Sequence, residues 1–289
     1  MSGLPLTECS RRPPAPRRGI LIVSTEDKFA RIRELYRCIG PWSALLYMAK
    51  LRSLSLLSRL GLCAVKGRQF ALRSSSSRTP VYARYGSSDL DVFEQIFVKQ
   101  TYRCLLDVSE PKLIVDCGAN VGYSSVYFLS RFPEAHVVAI EPDLDNYSMC
   151  QKNLSPYAER VTLLRAGIWT HDAPLIVCRG QYGDGREWAV QVRECQEGET
   201  PEVYGRDIGT VLRESGFQAI DILKIDIEGA ERTIFSGIRH IWLDQVCNIA
   251  IELHDTMCEA VFFTALSRYR YDLSRSGELT LCKNMSRIV

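Results

Sequence analysis

Leu113-Ile-Val-Asp-Cys-Gly-Ala-Asn-Val-Gly122 reads as a buried strand running directly into a glycine-rich turn. Four apolar or acidic residues of strand character end at Asp116, and Gly118 and Gly122 permit a tight turn and close backbone approach. The window Ser124 to Arg131 follows at helical spacing, so the free N–H groups of a helix N-terminus would face whatever the turn holds. A strand, a glycine turn and a helix in that order open an α/β unit.

Outward from this stretch, short apolar runs alternate with helical windows: His136 to Glu141, Leu144 to Leu154, Val161 to Ala166, Ile208 to Glu214, Asp221 to Asp226, Thr233 to Ile238 and Asn248 to Glu252. Five apolar strands separated by helices predict a mostly parallel sheet with right-handed crossovers. Two places depart from that alternation. Leu175 to Cys178 and Trp188 to Val192, joined through Gly183-Asp-Gly185, predict a hairpin, placed to cover an acceptor as a lid carrying Tyr182, Arg186 and Trp188. Tyr269 to Leu273 and Leu279 to Lys283 predict a second hairpin that closes the sheet with an antiparallel strand.

Ahead of this core the chain changes character. Residues 1–88 hold 16 basic and 4 acidic side chains, net +12, whereas residues 89–289 hold 20 and 30, net −10, which together give the formal +2 of the whole chain. A basic arm on an acidic body can meet phosphate, an anionic surface or the body itself. Arg11, Arg12, Arg17 and Arg18 around Pro13, Pro14 and Pro16 describe a basic disordered tail over 1–20, and 21–80 reads as a helical extension. In that extension Trp42, Leu45, Leu46, Ala49, Leu56, Leu57 and Leu60 share a helical face, and Arg73-Ser-Ser-Ser-Ser-Arg78 reads as a linker. From Ser88, placed as an N-cap, a helix is expected over Asp89 to Asp107.

With 289 residues, 46% hydrophobic and 24% charged, the chain has ample material for a core and is neither fibrous nor low-complexity. The apolar stretch 41–65 is interrupted by Lys50, Arg52 and Arg59, too often for a bilayer span, and the first twenty residues lack a secretory apolar segment. Eleven cysteines without a C-x-x-C pair point to a reducing compartment, hence a cytoplasmic home, with the arginine-rich start leaving an organelle open.

Open parallel sheets bind ligands beyond the carboxyl ends of their strands, where strand order reverses. The first strand ends in Asp116-x-Gly118-x-Asn120-x-Gly122, and the second ends at Glu141, at the distance from the turn where a carboxylate meets ribose hydroxyls. Asp116 beside the turn would repel a pyrophosphate but suits a cationic amino-acid ligand, which favours S-adenosylmethionine over a nicotinamide dinucleotide. Along the fourth strand Lys224, Asp226 and Glu228 alternate with apolar Leu223, Ile225 and Ile227, so Lys224 can neutralise one carboxylate and leave another for chemistry. The fifth ends Ile251-Glu-Leu-His254, where an imidazole near neutral pKa, oriented by a carboxylate, could take an acceptor proton or else hydrogen-bond the cofactor or a loop. His136, His171 and His240 read as structural.

Taken together, Val115-Asp-Cys-Gly-Ala-Asn-Val-Gly-Tyr-Ser-Ser125, Ala139-Ile-Glu-Pro-Asp143, Leu223-Lys-Ile-Asp-Ile-Glu-Gly-Ala-Glu231 and Ile251-Glu-Leu-His254, with Arg84-Tyr-Gly-Ser-Ser-Asp89 upstream, resemble the FkbM-type S-adenosylmethionine-dependent methyltransferases over about residues 81 to 283. The resemblance implies a class I methyltransferase fold for 81–289 and methylation of a hydroxyl on a small molecule, sugar or glycan. Asp116, Gly118, Asn120, Gly122, Glu141 and Asp143 are then the cofactor-binding candidates, and Asp226, Glu228 and His254 the catalytic ones. Metal-dependent enzymes of this fold gather carboxylates, and Asp226, Glu228 and Glu252 could imitate such a cluster; the resemblance asks for no metal. A nucleic-acid methyltransferase using the basic N-terminal region, and a non-catalytic adaptor that keeps the cofactor fold, are the competing readings.

Overall fold

The computed structural model describes residues 67–180, 185–236 and 240–288, with Gly40, Pro41, Ala44, Leu45, Met48 and Ala49. The tail over 1–20, Tyr182, and Trp42, Leu46, Leu56, Leu57 and Leu60 lie outside the described residues.

Seven strands form the main sheet. Five are parallel: β3 (Leu113–Cys117), β4 (His136–Ile140), β5 (Val161–Leu164), β10 (Ile222–Ile225) and β11 (Ile249–Glu252). Two close one edge, β12 (Tyr269–Ser276) and β13 (Leu279–Arg287), with β13 antiparallel to β11, so the order is β12-β13-β11-β10-β3-β4-β5. β3, β4, β10 and β11 are buried almost throughout, which is why they read as mainly apolar runs, whereas β5 at the sheet edge is only half-buried. The chain starts in the middle at β3, lays β4 and β5 on one side, then crosses to place β10 and β11 on the other. The reversal of order thus falls between β3 and β10, and their carboxyl ends open a crevice there.

Helices α2 (Tyr123–Arg131), α3 (Leu144–Leu154), α4 (Ile208–Ser215), α5 (Glu231–Phe235) and α6 (Thr256–Ala265) join the parallel strands and the C-terminal hairpin. Asp143, Asp207 and Asp255 cap α3, α4 and α6 by accepting backbone N–H bonds, which fixes where those helices begin.

Several expectations need correction. The segment 89–107 is not one helix: α1 (Asp89–Phe93) passes into a wide π turn over 94–98, and Gln100 at φ +53° interrupts the chain before a 3₁₀ turn over 101–105. Ser88 lies in helical geometry and its hydroxyl does not cap. Residues 69–80, expected to be helical extension and linker, instead belong to a hairpin of β1 (Gln69–Leu72) on β2 (Val81–Arg84). Phe70, Leu72, Val81 and Ala83 point into the main core, and the four-residue strands are too short for periodicity to announce. Near Pro41 it is Ala44 that is buried while Leu45 is 51% exposed and Ala49 is exposed, so the inward face is not the one expected. The hairpin after β5 pairs β7 (Pro174–Cys178) with β8 (Gln191–Glu194), shifted three residues past Trp188. β9 (Val203–Arg206) and the two-residue β6 (Gly167–Ile168) complete a four-stranded side sheet in the order β6-β9-β7-β8. No helix among the described residues is long and apolar enough to cross a membrane.

Candidate active site

A cleft of about 650 Å³ opens at the carboxyl ends of β3, β4, β10 and β11, within the size range of small-ligand sites. Gly118, Asn120 and Glu141 line one end; Asp226, Glu228, Glu252 and His254 line the other; Trp188, Val190 and Val192 reach it from the side sheet.

The turn after β3 is fixed by contact. A Cβ on Gly118, at φ +79°, would stand 1.8 Å from the carbonyl oxygen of Asp226, so only glycine lets the turn and the loop after β10 touch. Gly122, at φ +84°, serves packing instead: its Cβ would lie 2.9 Å from Sγ of Cys150 on α3. Asp116 is placed beneath the cleft, wholly buried, and not on its wall. Its Oδ2 accepts bonds of 2.6 Å from both Ser124 and Ser125, and its Oδ1 lies 3.0 Å from Nζ of Lys224. Lys224 also donates to the carbonyls of Cys117 and Gly118 and stands 3.9 Å from Asp226. Burial alone would lower its pKa, but Asp116 and its neighbours hold it above the ordinary lysine value. The buried charge that Lys224 chiefly neutralises is therefore Asp116, which leaves Asp226 facing the cleft.

Glu141 is 4% exposed. Its two oxygens accept the backbone N–H groups of Asn120 (2.8 Å) and Asp143 (3.0 Å), and burial still pushes its pKa up to about 7. Asp143 itself is turned away from the cleft, capping α3 and paired with Arg179 at 2.5 Å. The buried side-chain oxygen of Asn120 has no hydrogen-bond partner among the described residues, an acceptor on the cleft wall.

His254 stands at the centre of a carboxylate ring. Its Nδ1 donates to Oε1 of Glu231 at 3.1 Å, while Nε2 lies 3.5 Å from Glu228 and 3.8 Å from both Asp226 and Glu252. Burial would lower the imidazole pKa, but Glu231, Asp226 and Glu228 outweigh it and raise it to about 9. The ring is thus held above the near-neutral pKa expected from sequence, and the carboxylate hydrogen-bonded to it is Glu231. Glu252 is pushed up to about 8, first by burial and then by Asp226. Ligand atoms of Asp226, Glu228 and His254 lie within 4.8 Å of one another, room enough for a small cation. His136, His171 and His240 bond Thr162, Thr170 and the carbonyl of Phe235, away from the cleft.

Of the nine residues singled out from sequence, Gly118, Asn120, Glu141, Asp226, Glu228 and His254 meet in one cleft; Asp116, Gly122 and Asp143 support it from behind. Glu231 was part of a quoted motif yet its link to His254 joins residues 23 apart on different elements, which no local spacing reveals.

A central parallel sheet with its order reversing beside a glycine turn, an acid at the end of the next strand and an acidic far wall define a class I methyltransferase domain. Residues 116–273 match the model of the methyltransferase FkbM domain, and the chain belongs to that family. Among curated relatives, it is 28% identical over 199 residues to the AMB antimetabolite synthetase AmbE of Pseudomonas aeruginosa, covering 57% of this chain and 9% of that protein. It is 26% identical to methyltransferase sdnD of Sordaria araneosa, covering 56% and 73%, and 26% identical to the 2-O-methyltransferase NoeI of Sinorhizobium fredii, covering 53% and 65%. Among solved structures, a methyltransferase FkbM from Methylobacillus flagellatus KT superposes with a TM-score of 0.42 at 21% identity, over 60% of this chain and 43% of that one.

Proposed function

We propose that the protein transfers a methyl group from S-adenosylmethionine to a hydroxyl of a small molecule, sugar or glycan. The observation that carries this reading is one cleft with Glu141 and Asn120 at one end and the His254 carboxylate cluster at the other. The cofactor fits the residues present. The Asn120 oxygen is an acceptor without a partner among the described residues, and Glu141 is a carboxylate at the place of ribose hydroxyls. Acids dominate the cleft, and Lys224 is spent on Asp116; that charge suits a cationic cofactor and repels a pyrophosphate or a nucleic-acid backbone. NoeI, which carries 2-O-methyltransferase in its name, lends support to oxygen as the acceptor atom.

When bound, the cofactor supplies a methyl carbon already activated by the sulfonium. The protein's own residues orient the acceptor and take its proton. Because His254 is charged at neutral pH, the proton passes to a carboxylate of Asp226, Glu228 or Glu252, and the imidazolium steadies the oxygen as charge develops on it. The base must be ionised, so the rate rises with pH through about 8 as the Glu252 cluster loses its proton; the imidazolium must stay charged, so the rate falls through about 9. His254→Gln removes the alkaline limb of that profile, and a profile unchanged in the variant refutes the role. No metal is needed in this scheme, so dialysis against EDTA leaves turnover intact.

The direct test is calorimetric titration with S-adenosylmethionine, S-adenosylhomocysteine and NADH, repeated on Glu141→Ala, followed by labelled-methyl transfer to sugar and polyketide hydroxyls. Adenosyl-ligand binding weakened at least tenfold by Glu141→Ala, worth about 1.4 kcal/mol, is expected. Binding of NADH alone overturns the reading.

A further inference from the structure

Glu231 lies at the start of α5, wholly buried, and does not itself line the cleft. A carboxylate removed from water needs strong partners. Its Oε1 accepts two bonds of 3.1 Å, from the backbone N–H of Ile227 and from Nδ1 of His254, and its Oε2 lies 3.8 Å from Sγ of Cys258 on α6. The first bond fastens the loop that carries Asp226 and Glu228; the second fixes the ring between that loop and the end of β11. We propose that Glu231 is a positioning residue for methyl transfer: by gripping Nδ1 from behind it turns Nε2 of His254 toward Asp226, Glu228 and Glu252. A histidine whose far nitrogen is held by a carboxylate has its ring orientation decided before substrate arrives.

This inference rests on the reading of His254 as part of the transfer machinery, so its test has an arm that needs no acceptor. Glu231→Gln keeps the oxygen that accepts both bonds and removes the charge; Glu231→Leu removes both. Among the described residues, the charged and titratable groups around the ring are Asp226 and Glu228 from the loop after β10, Glu231 from α5 and Glu252 from β11, with Lys224, Glu278 and, behind Glu231, Cys258 of α6 one step further out. In nuclear magnetic resonance of histidine-labelled full-length protein, the His254 signal, assigned by its loss in His254→Gln, titrates about one unit or more lower in Glu231→Gln. The alkaline limb of the rate moves by the same amount, with KM and S-adenosylmethionine affinity within twofold of the parent. Glu231→Leu lowers kcat about a hundredfold, the order expected when a reacting group is displaced by an ångström, and Glu231→Gln restores most of it. An unshifted His254 titration in Glu231→Gln overturns the proposal whatever the acceptor proves to be. So does a Glu231→Leu protein that keeps its kcat, or one that loses cofactor affinity and melting temperature in proportion to kcat. Shifted His254 signals in a protein that methylates no hydroxyl uphold the positioning and remove only the O-methyl reading.

Discussion

Glu228 stands at φ +52°, a backbone region that costs a side-chain-bearing residue roughly 1–2 kcal/mol. The position is held from both sides, by Gln191 donating to its carbonyl and by its carboxylate 3.5 Å from His254. Strain kept at a cleft is strain that stability alone would remove. Glu228→Gly is therefore expected to raise the unfolding free energy by roughly 0.5–1 kcal/mol, after the entropy of the added glycine, while transfer activity falls; urea denaturation beside a methyl-transfer assay checks both. A variant less stable than the parent contradicts the argument. At this scale the sequence was legible where chemistry is written in one strand end, as in Glu141 or Asp226. It was misleading where a charge is answered from another strand: Asp116 suggests a ligand-facing acid until Lys224 is seen 3.0 Å away.

Among the elements, the segment before β8 lines the cleft through Trp188 and Val190. Arg186 stacks over Trp188 at 4.0 Å and pairs with Asp91 of α1. Glu187 accepts the backbone N–H of Ser88 at 3.2 Å, and its carbonyl accepts from Asn146 of α3. Arg84 of β2 ties Asp89 and Asn146 together beside it. On the proposed lid reading, Trp188→Ala removes a cleft-lining ring and leaves Glu141 in place. It is expected to raise the acceptor KM about tenfold with S-adenosylmethionine affinity unchanged, and equal losses of both would count against a lid. The parallel strands were readable because each is mainly apolar and set between helical windows; β6 and β9, two and four residues long, were not, and only their pairing defines them.

For the molecule as a whole, the structured domain reaches back past residue 81. Phe70 on β1 packs against Tyr85 in a tilted pair with ring centroids 4.3 Å apart, and it shares a core with Phe93, Phe97 and Tyr123. The hairpin should melt with the domain in a single transition, and Phe70→Ala should cost about 3–5 kcal/mol. Calorimetry showing an undiminished main transition would detach the hairpin from the core. The charge contrast between residues 1–88 and the rest was plain from composition, but Arg84, counted in the basic arm, is engaged inside the domain with Asp89.

Gly118 seats the glycine turn directly on the backbone of Asp226. For anyone seeking to redirect the enzyme to a new acceptor, that contact divides the molecule into a part to leave alone and a part to vary. Libraries aimed at the acid loop press on the glycine turn through that contact, whereas in residues 186–192 the variation belongs at positions other than Glu187 and Gln191, whose bonds to Asn146 and Glu228 hold the same cleft.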